Sequence, residues 1–201
     1  MRITGGRWRS RALQAPRGTT TRPTSDRVRE ALFSMLVSDG FLGERRGPNE
    51  EDGPRVLDLY AGSGALAFEA LSRGASAAVL VEQARDALAA IRDNARALEA
   101  EPWVRVVAGK VERVLEKLEG PFGIVFADPP YADVRGAAFA AILAKAARRM
   151  HPDGALVLEH ASADPAPEVA GLDLDRSRRH GDTTLSLYVR GPIATDDRGA
   201  L

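Results

Sequence analysis

Residues 56–67 read Val-Leu-Asp58-Leu-Tyr60-Ala61-Gly62-Ser63-Gly64-Ala-Leu-Ala67, an apolar run that passes into a glycine-rich turn and then into helix-forming residues. The pattern predicts a buried strand over Arg55–Tyr60, a tight loop at Gly62 and Gly64, and a helix over Ala65–Ser72. Glycine lets the backbone turn sharply and lets a ligand approach the main chain closely. The next apolar run, Ala77–Val81, ends at Glu82 and Gln83. A carboxylate at the tip of the second strand can accept hydrogen bonds from the hydroxyls of a ribose. The spacing Gly62-x-Gly64-x-x-Ala67 also satisfies a dinucleotide fingerprint, so the loop by itself signals only a nucleoside ligand. Asp58 narrows the choice. A carboxylate two residues before the turn repels a pyrophosphate and attracts a sulfonium or ammonium group; its purely structural alternative is a helix cap or loop anchor.

Outward from this loop, strands and helices alternate. Strands are expected at Arg55–Tyr60, Ala77–Glu82, Val104–Ala108, Gly123–Ala127 and Ala155–Glu159, with helices centred on Phe68, Ile91, Leu115 and Ile142. Such βα units build an α/β fold with a parallel sheet covered on both faces. The end differs: Leu172–Arg178 and Thr183–Arg190 flank His180-Gly181-Asp182, which reads as an antiparallel hairpin closing the sheet edge. Residues 55–191 therefore form a Rossmann-like core. The Gly/Pro-rich, charged stretch 41–54 reads as a linker. Residues 1–40 form a small basic arm and 192–201 a flexible tail. In the arm, Met1–Pro16 suggests a hairpin or extended segment. A helix begins with Thr24 or Ser25 as N-cap, its apolar face built from Val28, Leu32, Met35 and Leu36.

A second decisive stretch is Val125-Phe-Ala-Asp128-Pro129-Pro130-Tyr131. The strand must stop where the prolines begin, because proline has no amide proton for the ladder. The turn then offers a carboxylate (Asp128), an unoccupied carbonyl (Pro129) and an aromatic face (Tyr131) at the carboxyl end of a strand, where ligands of α/β folds bind. Two acceptors and a stacking ring suit a planar, amino-bearing base. The plain alternative is a proline turn with a surface tyrosine.

Composition removes several classes of function. The 201 residues include no cysteine, which excludes disulfides, a thiol nucleophile and thiolate metal ligands. The three histidines lie far apart without ligand spacing, so no metal is expected. No apolar run reaches the 18 or so residues of a membrane span, and no secretory h-region is visible, so a cytoplasmic location is expected. The net charge is zero but uneven: residues 1–30 carry eight arginines against Asp26 and Glu30, a net of +6, balanced by −6 in the rest of the chain. A basic arm on an acidic body suggests a polyanionic partner. Arg7, Arg9, Arg11, Arg22, Arg27 and Arg29 are the expected phosphate contacts, with Thr24 beside them and Trp8 as a base-stacking candidate. The alternatives are a solvated tail and an organellar transit peptide; Gly5-Gly6, Pro16 and Pro23 argue against the helix a transit peptide needs.

With these residues in view, the chain resembles the 16S ribosomal RNA (guanine-N2)-methyltransferases of the RsmD type. The resemblance is carried by Met1-Arg-Ile-Thr-Gly-Gly6, Thr21-Arg-Pro-Thr-Ser-Asp-Arg-Val-Arg-Glu30, Val56–Gly64, Glu69-Ala-Leu-Ser-Arg-Gly-Ala75, Asp128-Pro-Pro-Tyr131 and Gly181-Asp-Thr-Thr-Leu-Ser-Leu-Tyr188. It implies a class I methyltransferase core that binds S-adenosylmethionine (AdoMet) and releases S-adenosylhomocysteine (AdoHcy). It implies methyl transfer to the exocyclic N2 of a guanine in small-subunit rRNA, within an assembled particle, by a monomeric enzyme. Asp58, Tyr60, Ala61, Gly62, Ser63, Gly64, Glu82, Gln83 and Asp128 then become AdoMet contacts. Where the family has an acidic residue after the third strand for the adenine amine, this chain has Lys110-Val111; their backbone, or Glu112, is the expected substitute. Asp128 and the Pro129 carbonyl would accept the N2 hydrogens and Tyr131 would stack on the base. Competing readings are an adenine-N6 methyltransferase, a nicotinamide oxidoreductase and a non-catalytic RNA-binding assembly factor.

Overall fold

The computed structural model describes residues 1–16, 25–43, 53–130 and 136–191. In chain order the elements are α1 (Asp26–Ser38), β1 (Arg55–Leu59), α2 (Ala65–Ser72), β2 (Ala77–Glu82), α3 (Arg85–Ala97), β3 (Val104–Ala108), α4 (Val111–Lys117), β4 (Phe122–Ala127), α5 (Ala137–Ala147), β5 (Met150–Ala161), β6 (Asp173–His180) and β7 (Thr183–Val189). They form a seven-stranded sheet in the order β3-β2-β1-β4-β5-β7-β6. β1 to β5 pair in parallel, whereas β7 runs antiparallel between β5 and β6. This is a Rossmann-like class I methyltransferase fold with a terminal antiparallel hairpin. Among the described residues, no helix is long and apolar enough to cross a membrane.

The central strands are mostly apolar because both of their faces are covered. Along β1, Val56 packs with Ile124 and Phe126 beneath α1, α2 and α3, while Leu57 and Leu59 pack with Leu115, Phe139 and Leu143 beneath α4 and α5. Strand order reverses between β1 and β4: β2 and β3 lie to one side, β4 and β5 to the other. The crevice at the carboxyl ends of these two strands is the place such a topology leaves for a ligand.

Two expectations needed adjustment. β5 is longer than Ala155–Glu159, because its pairing with β4 slips between Phe122 and Ile124 and lets His151–Gly154 loop outward within the strand. The helix N-cap is indeed Ser25, whose Oγ accepts from the Val28 amide at 3.3 Å. The buried face of α1, however, is Arg29, Leu32, Phe33 and Leu36, with Val28 and Met35 only half-buried.

The N-terminal segment folds back on itself through an Arg2–Ala12 antiparallel bridge, and Ile3, Trp8 and Leu13 enter the same hydrophobic cluster as α1, α2 and β4. Its polar anchor is Glu69 on α2, which is fully buried. Glu69 accepts from Thr4 N (2.8 Å), Thr4 Oγ1 (2.7 Å), Gly5 N (2.8 Å), Arg73 Nε (2.9 Å) and Arg29 Nε (3.4 Å). Arg29 also bonds Asp26 and the Arg2 carbonyl. Gly6 sits at φ 71° with its Cα against the Ser72 carbonyl, where no side chain fits. The Ile-Thr-Gly-Gly segment is thus a clasp that ties the amino terminus to α1 and α2.

Candidate active site

The loop after β1 is shaped by conformations that most side chains avoid. Tyr60 has φ 61°, Gly62 φ 56° and Gly64 φ 79°. Left-handed backbone at a bulky, non-glycine residue is strained, and such strain persists only where the surroundings enforce it. Here the Ala61 amide is held by the Val81 carbonyl at 3.1 Å and the Gly64 amide by the Ala61 carbonyl at 2.7 Å. The two glycines do different work. A Cβ on Gly64 would lie 2.6 Å from Phe68 and 2.8 Å from Leu80, so this glycine packs helix against sheet. A Cβ on Gly62 would have only the Tyr60 carbonyl at 4.0 Å, so its backbone faces open space where a ligand can approach.

Three carboxylates converge beneath and beside this loop. Asp58 is buried, and its Oδ2 accepts from the Ala67 amide in the first turn of α2 at 3.2 Å. Burial pushes its carboxyl well above the usual carboxylate range; the Ala67 bond opposes this, while the negative charges of Asp128 and Glu82 add to it. Glu82, at the tip of β2, accepts from the Gly62 amide with Oε2 (2.9 Å) and from Gln83 N (2.7 Å) and Ala84 N (2.8 Å) with Oε1. A carboxylate offers about four lone-pair sites, so Glu82 retains room on Oε2 for one further donor. Glu82 also does something that sequence could not show: it holds the glycine loop itself.

Asp128 follows the last residue of β4. Leu59 and Ala127 are partners in register, so Tyr60 and Asp128 emerge side by side from adjacent strands, about 5 Å apart at ordinary sheet spacing. The Asp128 amide reaches the Leu59 carbonyl at 3.5 Å. Pro129 is buried and Pro130 exposed. Tyr131 lies outside the described residues.

Other expected contacts divide clearly. Gln83 and Lys110 are exposed at the strand ends, and Glu112 is exposed in the first turn of α4. Val111 points its side chain into the core, which leaves only its backbone for a ligand. Ser63 is buried, with its hydroxyl on Met1 Sδ at 3.4 Å, and its carbonyl accepts from Asn94 Nδ2 at 3.0 Å. Asn94 itself was missed. It is fully buried on α3, donates also to the Gln14 carbonyl (3.0 Å) and accepts from the Gln14 amide (2.7 Å), so it joins the N-terminal segment to the glycine loop. An asparagine within a helix carries no local signal for that role.

The arm residues need correction. Arg29 is not a surface cation: it is fully buried and ion-paired with Glu69 and Asp26. Trp8 is not an exposed stacker, being 7% exposed in the core. It lies beside Trp103, with Arg7 stacked at 4.1 Å from one indole and 4.4 Å from the other; burial lowers the Arg7 pKa. Trp103 immediately precedes β3, so this group occupies the edge where parallel strands begin, opposite the edge that holds Asp128. Arg11 is committed to the Ala97 carbonyl at the end of α3. Arg9 and Arg27 are exposed. Arg22 and Thr24 lie outside the described residues, as does the 192–201 tail.

Comparison with known proteins gives this geometry a context. Residues 1–189 match the family model described as Conserved hypothetical protein 95. The chain is 35% identical over 192 residues to the candidate rRNA methyltransferase YlbH of Bacillus subtilis (strain 168), covering 94% of this chain and 98% of that one. It is 41% identical over 131 residues to Ribosomal RNA small subunit methyltransferase D of Escherichia coli (strain K12), covering 65% of this chain and 60% of the relative. Among solved structures, the candidate methyltransferase yhhF of Escherichia coli superposes with a TM-score of 0.78 at 33% identity, over 94% of this chain and 97% of that one.

Proposed function

The chain belongs to the RsmD family, whose model is the Conserved hypothetical protein 95 family spanning residues 1–189, and on that premise we propose that it is an AdoMet-dependent methyltransferase of small-subunit rRNA that methylates a guanine N2. The single observation that carries the reading is the juxtaposition of two strand ends. The glycine loop after β1 and the Asp128-Pro129-Pro130 turn after β4 leave adjacent strands at the point where the sheet order reverses.

The residues present fit the cofactor. Gly62 offers backbone without an obstructing side chain, Glu82 keeps acceptor capacity for a ribose hydroxyl, and the carboxylates of Glu82 and Asp128 create a field that favours a cation over a pyrophosphate. Tyr60, Ala61, Gly62, Ser63 and Gly64 would enclose the ligand, Gln83 would adjoin the ribose, and the backbone of Lys110 and Val111 would lie along the adenine. AdoMet supplies an activated methyl on a sulfonium sulfur. The protein must therefore align the acceptor and manage its charge. The guanine N2 lone pair is delocalised into the ring and makes a weak nucleophile. Asp128 and the Pro129 carbonyl accept the two N2 hydrogens, which favours a pyramidal nitrogen and stabilises its developing positive charge. The product aminium is acidic enough for Asp128 or water to take its proton. Tyr131 stacks on the base, which has to leave its own stack to enter.

The test is transfer of labelled methyl from AdoMet to small-subunit particles from a strain lacking the methyltransferase, with the product nucleoside identified. N2-methylguanine formed by wild type, and cut by about 10²-fold or more in Asp128→Ala, is the expected result. N6-methyladenine would transfer the site to the adenine reading. RNA binding without methyl transfer would leave an assembly factor.

A further inference from the structure

We propose that the site-proximal end of β6, Arg178 and Arg179 with His180 beside them, is a phosphate-binding surface for the RNA strand that carries the target base. The proposal rests on the rRNA reading above and names a surface outside the site just described.

The argument begins with register. Ala127 on β4 pairs with Leu158 on β5, Leu158 with Ser186 on β7, and Ser186 with Ser177 on β6. One residue further toward the site, Asp128 stands level with Glu159, Leu185 and Arg178. Arg178 is thus at the height of Asp128 and three strands across, about 14 Å at 4.8 Å per strand. Its neighbours Arg179 and His180 continue toward the same edge.

β6 also differs from the other strands in burial. Its residues are exposed or half-buried along the whole length, and both Arg178 and Arg179 are exposed. Successive side chains leave a strand on opposite faces, so the two guanidiniums flank the edge. The charge along the strand is polarised. Asp173 and Asp175 occupy the end away from the site, and Arg176 is consumed by Asp175 (2.6 Å) and Asp39 (3.3 Å). Arg178 and Arg179 remain at the near end; Arg179 lends Nε to the Gly181 carbonyl at 3.0 Å. The carboxylates facing this end are Asp182, exposed in the turn, and Glu159, buried on β5.

This placement matters because two of the arginines first expected to grip RNA are not placed to meet the target strand there: Arg7 is stacked at the opposite edge of the sheet and Arg29 is buried. A polyanion that delivers a base to Asp128 meets β6 within one or two nucleotides of that base. Arginine suits the task because its planar fork binds phosphate bidentately.

The experiment compares the full-length wild type with Arg178→Ala/Arg179→Ala and Arg178→Lys/Arg179→Lys. Affinity for small-subunit rRNA from a methyltransferase-deficient strain is measured from 50 to 200 mM salt, with AdoHcy affinity and melting temperature as controls. Each lost phosphate contact on single-stranded RNA lowers the slope of log K against log salt by about 0.7, so the alanine pair should reduce it by about 1.4. Across that fourfold rise in salt the variant then loses about 7-fold less affinity than wild type. The lysine pair should retain the slope, and AdoHcy affinity should not move. An unchanged slope in the alanine pair overturns the proposal. If that variant also self-associates, the arginines instead guard an exposed sheet edge. Wild type that binds rRNA but transfers no methyl would sink the catalytic reading while leaving this surface standing; wild type that binds no rRNA sinks both.

Discussion

Glu69→Ala is expected to be among the most damaging single substitutions in the N-terminal third of the fold, and its cost can be reasoned from the asymmetry of the cluster. Glu69 is fully buried and accepts five hydrogen bonds, two of them from the buried guanidiniums of Arg29 and Arg73. Removing it takes the buried carboxylate partner from Arg73 and one of two carboxylate partners from Arg29, which keeps Asp26, and it removes the acceptor of two backbone amides. Breaking a buried pair so that a charge is left uncompensated costs about 3–5 kcal/mol, or a fall in melting temperature of roughly 6–20 °C at 2–4 °C per kcal/mol for a domain of this size. Arg29→Ala removes one donor, at 3.4 Å, and leaves Glu69 with four; its cost should be smaller, about 1–3 kcal/mol. The assay is urea unfolding of wild type and both variants, with RNA affinity measured well below each transition. Arg29→Ala should lower stability without lowering the salt slope of RNA binding, since a buried arginine reaches no phosphate. A Glu69→Ala loss under about 1 kcal/mol, or an Arg29→Ala effect on RNA affinity at intact stability, would refute the reasoning.

Three further outcomes follow from the site. Glu82→Ala should weaken AdoHcy binding by about 1.5–3 kcal/mol, and because the same carboxylate holds the Gly62 amide, Glu82→Gln should recover only part of it; calorimetry decides. Asp58 has its folded pKa raised chiefly by burial, so its contribution to stability is fully present below the ordinary carboxylate pKa and is lost as pH rises through the raised value. Asp58→Asn should therefore unfold with less pH dependence across that window while binding AdoMet more weakly, and an unchanged profile in both measurements would reject the assignment. At Tyr131, a stacking role requires Tyr131→Phe to keep most single-turnover activity and Tyr131→Ala to lose about 1–3 kcal/mol; equal loss in both would transfer the role to the hydroxyl.

The sequence by itself determined the order of strands and helices, the glycine loop and the carboxylates at strand ends, because these depend on local physics. The short, largely apolar run Val56–Leu59 leading into glycines reads as a buried strand, Gly62 and Gly64 mark a turn that other residues resist, and Pro129-Pro130 must end β4. Once strands alternate with helices, the strands run parallel, and their shared direction brings Asp58, Glu82 and Asp128 toward one edge. Which charges are free, by contrast, was decided only by tertiary structure. Arg27 and Arg29 stand two residues apart on one helix, yet one is exposed and the other buried, and the difference is a carboxylate forty residues downstream. Trp8 looks like a base-stacking contact until it is seen buried beside Trp103, with Arg7 lying over both rings. Asn94 shows its role only where α3 meets the loop and the amino-terminal segment. Net charge and residue type are properties of a sequence; solvent exposure is a property of what packs against it, and that depends on contacts no local window contains.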